Sequence, residues 1–197
     1  MALISRRHGQ QDLLQGNLVH LIVDSIMKFT TFPILTTENL ILRQFEMADE
    51  KEVFLLRSSD EVNKFIDRPR ASSIDDARSF IEKITDKNNK EAFIWAIERK
   101  EKKGLVGSVC LLRFTPENNS CEVGYEMLPD FQGKGIVQEA LKKILEYGFE
   151  TLGLSTINAV IHPDNIKSIK LAERFGFRRT GQLEEKFLIY SLRNLAG

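Results

Sequence analysis

Two cysteines, Cys110 and Cys121, are too few for a disulfide framework in a chain of 197 residues, and they form no CxxC pair. Both fall in strand-like runs, where a small buried apolar side chain is the simplest reading and a reducing, cytoplasmic setting fits. Histidine is equally sparse. His8, His20 and His162 are scattered, with no HExxH and no Cys/His clustering, so no metal site is expected. A basic surplus is missing too: Lys plus Arg and Asp plus Glu both total 28, which argues against a nucleic-acid partner. The apolar stretch "LVHLIVDSIM" is interrupted by His20 and Asp24 and is too short to span a bilayer. No clean small-residue cleavage site follows it, so no membrane association is expected. Internal repeats and low-complexity linkers are absent.

What remains is a hydrophobic content of 42% and a charged content of 28%, ordinary values for one globular domain with a proper core. Residues 1–31 are polar or unpatterned and read as an N-terminal extension, with Met27 a candidate natural start. The regular pattern occupies residues 32–197. "NLILRQFE" (39–46) alternates as a strand, with Leu40, Leu42 and Gln44 on one face. "MADEKEVFLLRSS" and "SIDDARSFIEKITDK" have helical periodicity, the second opening on Ser73 with Asp76 three residues later, close to a capping box. "AFIWAIER" and "GLVGSVCLLRF" form a hairpin across "KEKKG", and "NNSCEVGYEML" is a third strand. A long helix over 135–153, with Val137, Leu141, Ile144, Leu145 and Leu152 on one stripe, leads to the strand "LSTINAVIH". A helix follows over 165–177, with Ile166, Ile169, Ala172 and Phe175 inward, and two strands close the chain. The expected fold is α+β (mixed α/β): one central, mostly antiparallel sheet with flanking helices.

Chemistry concentrates in "MLPDFQGKGIVQEAL". Glycines at a helix mouth weaken the helix but let backbone amides approach an anion at the positive end of the helix dipole. A tight strand-to-helix turn would use glycine as well, and both readings stay open on the residues alone. A phosphate-binding Walker loop fails, because Leu128 and Gly135 stand where Gly and Ser or Thr are needed. A dinucleotide turn fails as well, with Gln138 in place of the third glycine and Pro129 interrupting the strand.

"FQGKGIVQEAL" resembles the acyl-CoA loop of the GNAT N-acetyltransferases, Q/R-x-x-G-x-G/A, in Gln132, Gly133, Lys134 and Gly135, and departs from it at Val137. "HPDNIKSIKLAERFGF" is similar to the family's Asn-x-x-Ser…Gly-Phe helix, and the element order from residue 39 onward is the family's. Within it, the RimJ/RimL-type enzymes are most similar. The resemblance implies acetyl-CoA as cofactor and direct acetyl transfer to an amine. It places pantetheine against the backbone of Met127 and Leu128. The pyrophosphate falls on the amides of Gly133, Lys134, Gly135, Ile136 and Val137, with Gln132 and Lys134 beside it. Asn165 becomes a cofactor contact and Ser168 the acid for the departing thiolate.

On an alternating strand Glu122, Gly124 and Glu126 share one face, so either carboxylate is a candidate base, with Glu126 favoured by its proximity to the pantetheine contacts. Each also has a plain structural reading: charges that face solvent or pair with an Arg for the glutamates, helix N-capping for Asn165 and first-turn polarity for Ser168. Tyr125 falls on the opposite strand face and Tyr147 reads as part of the long helix. A backbone N–H near Met127 or Leu128 is the natural oxyanion donor. "NKFIDRPRASS", with Phe65, Arg68 and Arg70, is expected to line the acceptor entrance. The acceptor is expected to be a protein N-terminal α-amine, with a small amine or antibiotic, or a non-catalytic acyl-CoA-binding module, as alternatives. The oligomeric state is monomer or homodimer.

Overall fold

Eight strands form one sheet in the order β1-β2-β3-β4-β5-β6-β8-β7 in the computed structural model, which describes residues 32–86, 92–184 and 186–194. The N-terminal extension expected over 1–31 lies outside the described residues. The strands are β1 (Leu35–Thr36), β2 (Leu40–Arg43), β3 (Ala92–Arg99), β4 (Lys102–Thr115), β5 (Ser120–Met127), β6 (Thr156–Ile161), β7 (Arg178–Glu184) and β8 (Phe187–Arg193). Five α-helices accompany them among the described residues: α1 (Glu50–Ser58), α2 (Asp60–Asn63), α3 (Ile74–Thr85), α4 (Ile136–Glu146) and α5 (Ile166–Arg174). Every neighbouring strand pair is antiparallel except β5–β6. The mixed α/β, mostly antiparallel architecture expected from the sequence is therefore present.

Strand β3 shows why helices cover both faces of the sheet. Phe93, Trp95 and Ile97 belong to a large apolar cluster with Ile136, Ala140, Leu141, Ile144 and Leu145 of α4. Ala96, one residue out of phase, joins a second cluster with Val53 and Leu56 of α1 and Ala77 and Ile81 of α3. A strand buried on both sides reads as a continuous apolar run, as "AFIWAI" does. Burial of each large side chain contributes about 1.5–3 kcal/mol, so α4 is anchored rigidly by its stripe. The capping box of α3 forms as expected: Asp76 N donates to Ser73 Oγ at 3.2 Å and Ser73 N to Asp76 Oδ2 at 3.1 Å.

Four sequence expectations need correction. Strand β2 stops at Arg43, whose guanidinium bridges Asp49 and Glu98 at 2.8 and 3.0 Å, and the chain then turns so that Phe45, not Gln44, is buried. The short elements β1 and α2 were not anticipated, being too brief to carry a period. The helix from Ile136 ends at Glu146 and widens into a π-turn over Tyr147–Thr151, closed by Leu152 N donating to Tyr147 O at 3.0 Å. Gly148 permits this, since a Cβ there would lie 2.8 Å from Ile157 Cδ1. Finally, Ile166 is 52% exposed rather than inward, because the first residue of α5 projects beyond the sheet and Leu171 packs on the core instead.

Candidate active site

The parallel pairing of β5 with β6 is brief: Ser120 faces Thr156, Cys121 faces Ile157 and Glu122 faces Asn158, and there it ends. Both strands continue, β5 to Met127 and β6 to Ile161, but they splay apart. On its other edge β5 stays paired to β4 as far as Gly107 opposite Met127. Gly107 is required for that approach, since a Cβ would sit 2.5 Å from Glu126 O and 2.9 Å from the Met127 side chain. The result is a gap at the carboxyl ends of two parallel strands, the usual position for a ligand in such sheets. Leu128 N is already committed to Val106 O at 3.0 Å. Strand alternation therefore turns the Met127 N–H toward the gap, and of the two expected backbone donors only Met127 faces it.

Immediately after the gap, Pro129 starts a 3₁₀ turn and Gln132 Nε2 donates to Met127 O at 3.3 Å, tying the loop back to the strand end. Gly133 and Gly135 adopt φ of 74° and 80°, the left-handed region that other residues enter only with strain. Open space surrounds the position a Cβ would take at either glycine. Gly135 is the N-cap of α4 and no side chain caps that end, so its first-turn amides stay available to an anion. Lys134 is exposed, its ammonium 5.7 Å from the Phe131 ring. Ile136 is buried and Val137 packs partly against the same core, so both bring main-chain amides rather than side chains to the loop. The departure at Val137 thus leaves the loop unobstructed.

Glu139, which no sequence signal singled out, fixes this helix end to the start of the sheet. Its carboxylate accepts from Thr37 Oγ1 at 2.5 Å and from Asn39 N at 2.8 Å and Nδ2 at 3.1 Å. Partial burial works to raise its pKa, but these hydrogen bonds and nearby Lys100 outweigh it, leaving the group below its ordinary range.

The two faces of β5 carry different chemistry. On the α1–α3 face, Glu126 Oε2 accepts from Arg68 Nη2 at 2.5 Å and Oε1 from Ser108 Oγ at 3.1 Å, with both charged side chains about nine-tenths buried. Arg68 is itself positioned: its Nε donates to Asn63 Oδ1 at 2.6 Å, and the Asn63 amide donates to Leu56 O and Ser59 O at 2.7 Å each. Glu122 lies on the same face but at the closed, paired part of the strand, bridged to Arg113 at 3.0 Å. Cys110 Sγ approaches the space beside Gly124, and burial pushes its thiol up to about 12. Cys121 is buried with its thiol likewise raised, in keeping with no nucleophilic part for either.

On the opposite face, Tyr125 donates its phenol proton to Ser168 Oγ at 2.9 Å, and Asn165 caps α5 by accepting from Ser168 N at 3.2 Å. Burial raises the Tyr125 pKa, and the bond to Ser168 lowers it by less. The alternation put Tyr125 on the correct face; what it did not show is that Ser168 stands on that face as well. Tyr147, by contrast, is buried against Phe93 and Trp95, its phenol pushed up to about 12 by burial.

A cleft of ≈ 490 Å³ extends from Arg68, the partner of Glu126, to His162, the residue after β6. Phe65 and Arg70 line it, and Phe187 of β8 and Lys186 join from the last hairpin. His162 lies between the two phenyl rings, 5.4 Å from Phe65 and 5.7 Å from Phe187.

Residues 39–178 match the family model described as the acetyltransferase (GNAT) domain. The uncharacterized N-acetyltransferase YoaA of Bacillus subtilis is 36% identical over 155 residues, 78% of this chain and 88% of that protein. The spermidine N(1)-acetyltransferase of Vibrio cholerae is 27% identical over 150 residues, 76% of this chain and 85% of that protein. Among solved structures, the microcin C7 self-immunity acetyltransferase MccE, in complex with acetyl-CoA and AMP, superimposes with a TM-score of 0.68 at 28% identity, covering 80% of this chain and 94% of that one. With the family model matched over most of its length and a relative 36% identical, the chain belongs to the GNAT family of acetyl-CoA-dependent N-acetyltransferases.

Proposed function

We propose that the chain acetylates the α-amine of a protein N-terminus, in the manner of the RimJ/RimL-type enzymes, in the cytoplasm. The observation that carries this reading is the pair of polar groups on opposite faces of β5 where its pairing with β6 has ended: the Glu126 carboxylate and the Ser168 hydroxyl. Acetyl-CoA, when bound, supplies an acetyl group on a thioester. The first-turn amides of α4 with Gly133 and Lys134 would hold its pyrophosphate, and the gap-facing backbone of Met127 its pantetheine arm; Asn165, at the head of α5, would complete the contact. The Met127 N–H is the oxyanion donor in this scheme.

Glu126, or a water it orders, accepts the proton of the incoming amine on one face, while Ser168, supported by Tyr125, delivers a proton to the sulfur side on the other. A carboxylate is a weak base, so it suits an amine already partly neutral near pH 7. An α-amine, with a pKa near ~8, meets that condition far better than a lysine-type amine near ~10.4. An open cleft rimmed by exposed Lys64, Arg70 and Lys186 suits the end of a chain. Glu122, at the closed part of the strand, is the less favoured base.

A second reading is a small-amine acetyltransferase, since one relative acts on spermidine by name. Free-thiol release in the presence of acetyl-CoA, with N-terminal peptides set against a panel of small amines, distinguishes the two. Release with peptides blocked at lysine but free at the α-amine is the expected result. Release only with small amines would overturn the N-terminal assignment, and binding without any release would point to a non-catalytic module.

A further inference from the structure

The cleft between Arg68 and His162 has an uneven charge pattern. Four cationic side chains line it, Lys64, Arg68, Arg70 and Lys186, against the carboxylates of Asp60 and Asp67. Arg68 is held by the buried Glu126, and Arg70 Nε lies 3.4 Å from Asp60 Oδ1. Among the described residues of the lining, Lys64 and Lys186 are then set against Asp67, and Asp164 Oδ2 lies 3.8 Å from His162 Nδ1. The two lysines stand at opposite sides of the cleft, each over one end of the aromatic row: Lys64 Nζ is 5.2 Å from the Phe65 ring and Lys186 Nζ 5.7 Å from the Phe187 ring, with His162 between the rings. Behind this wall Arg57, 8% exposed and stacked 3.9 Å over Phe80, adds a further positive charge close to Arg68.

We infer that the acceptor carries negative charge a short distance from its amine, held between Lys64 and Lys186, and that a flat apolar group beside that charge, where the acceptor has one, lies against Phe65, His162 and Phe187. A polycation is disfavoured by the same wall: each additional ammonium would meet like charge, which costs affinity and slows encounter. This inference rests on assigning the cleft to the acceptor, but not on the acceptor being a peptide.

The test uses the full chain saturated with coenzyme A and two tetrapeptide amides, Ala-Asp-Phe-Glu and Ala-Lys-Phe-Lys, together with phosphoethanolamine and spermidine. Calorimetric titration at low and high salt gives binding, and thiol release with acetyl-CoA gives turnover. The acidic peptide should bind about tenfold or more tighter than the basic one at low salt, with the gap closing as salt screens the lysines. The Lys64→Glu, Lys186→Glu double variant should reverse that order, and its thermal unfolding should match the parent because both side chains are exposed. If peptides fail but phosphoethanolamine binds and turns over in preference to spermidine, the N-terminal reading falls while the charge selection stands. Equal or tighter binding of the basic probes, no binding of any anionic probe, or an order unchanged by the double reversal would overturn the inference.

Discussion

Replacing Glu126 by Gln keeps the shape of the side chain and removes the charge that Arg68 meets at 2.5 Å. If Glu126 receives the amine proton, kcat should fall by about 10²-fold or more, while KM for acetyl-CoA changes little, because the carboxylate faces away from the glycine loop. The variant also leaves a guanidinium nine-tenths buried beside a neutral amide, so unfolding must be measured in parallel. A loss on the order of 3 kcal/mol is expected, and turnover should be compared below the melting range. On the other face, Ser168→Ala should lower kcat more than Tyr125→Phe, and the double variant should be no worse than Ser168→Ala alone, since Tyr125 acts through Ser168. Additive losses in steady-state rates would show instead that Tyr125 works independently. The proposed roles of Glu126 and Ser168 came from strand alternation with the nearness of Met127, and from the family's Asn-x-x-Ser pattern at a helix start. Arg68, Asn63 and Ser108 were not readable as a support for Glu126, because those contacts join residues up to 58 positions apart and leave no mark in local spacing.

Among the elements, α4 depends on two features at its mouth. Gly135→Ala puts a Cβ on a residue at φ 80°, at a cost of about 1–2 kcal/mol, although the space around it is open. The expected outcome is a modest drop in melting temperature with a larger rise in KM for acetyl-CoA, as the first-turn amides shift. An unchanged KM would detach the loop from cofactor binding. Glu139 ties the same helix to Thr37 and Asn39, and its folded pKa lies below the unfolded value. That contribution is fully present above the unfolded carboxylate value near ~4.3 and is lost as pH falls through the folded one. Glu139→Gln should therefore be destabilised at pH 7 and converge with the parent under acid conditions, as read by denaturant melts at both pH values. The helix and its apolar stripe followed from period alone, and the capping box of α3 from four residues. The π-turn after Glu146 escaped, because the apolar stripe continues to Leu152 and only the packing of Gly148 on Ile157 reveals the wider turn.

At the level of the whole molecule, the sheet is two pieces joined across a short seam. Strands β1 to β5 form one continuous antiparallel set, β6, β8 and β7 another, and only the three residue pairs from Ser120–Thr156 to Glu122–Asn158 link them strand to strand. Strands β2 to β8 were evident from the sequence pattern, whereas β1, the strand order and the splay depend on contacts that close only after α4 has crossed the sheet. A cofactor lying in the gap would touch both pieces, through Met127 on one and through Asn165, at the head of α5, on the other. It should then act as a second seam. Coenzyme A at a hundred times its dissociation constant stabilises a folded chain by about 2.7 kcal/mol, which for a domain of this size raises the melting temperature by roughly 5–10 °C. Amide exchange should slow most at Tyr125 and Met127, whose N–H groups alternation directs into the gap, and less at Glu126, already turned toward β4. Stabilisation without added protection at Tyr125 and Met127 would mean that the cofactor is held by the glycine loop alone. Strand to strand, the two pieces of the sheet would then gain nothing beyond the three pairs they already share.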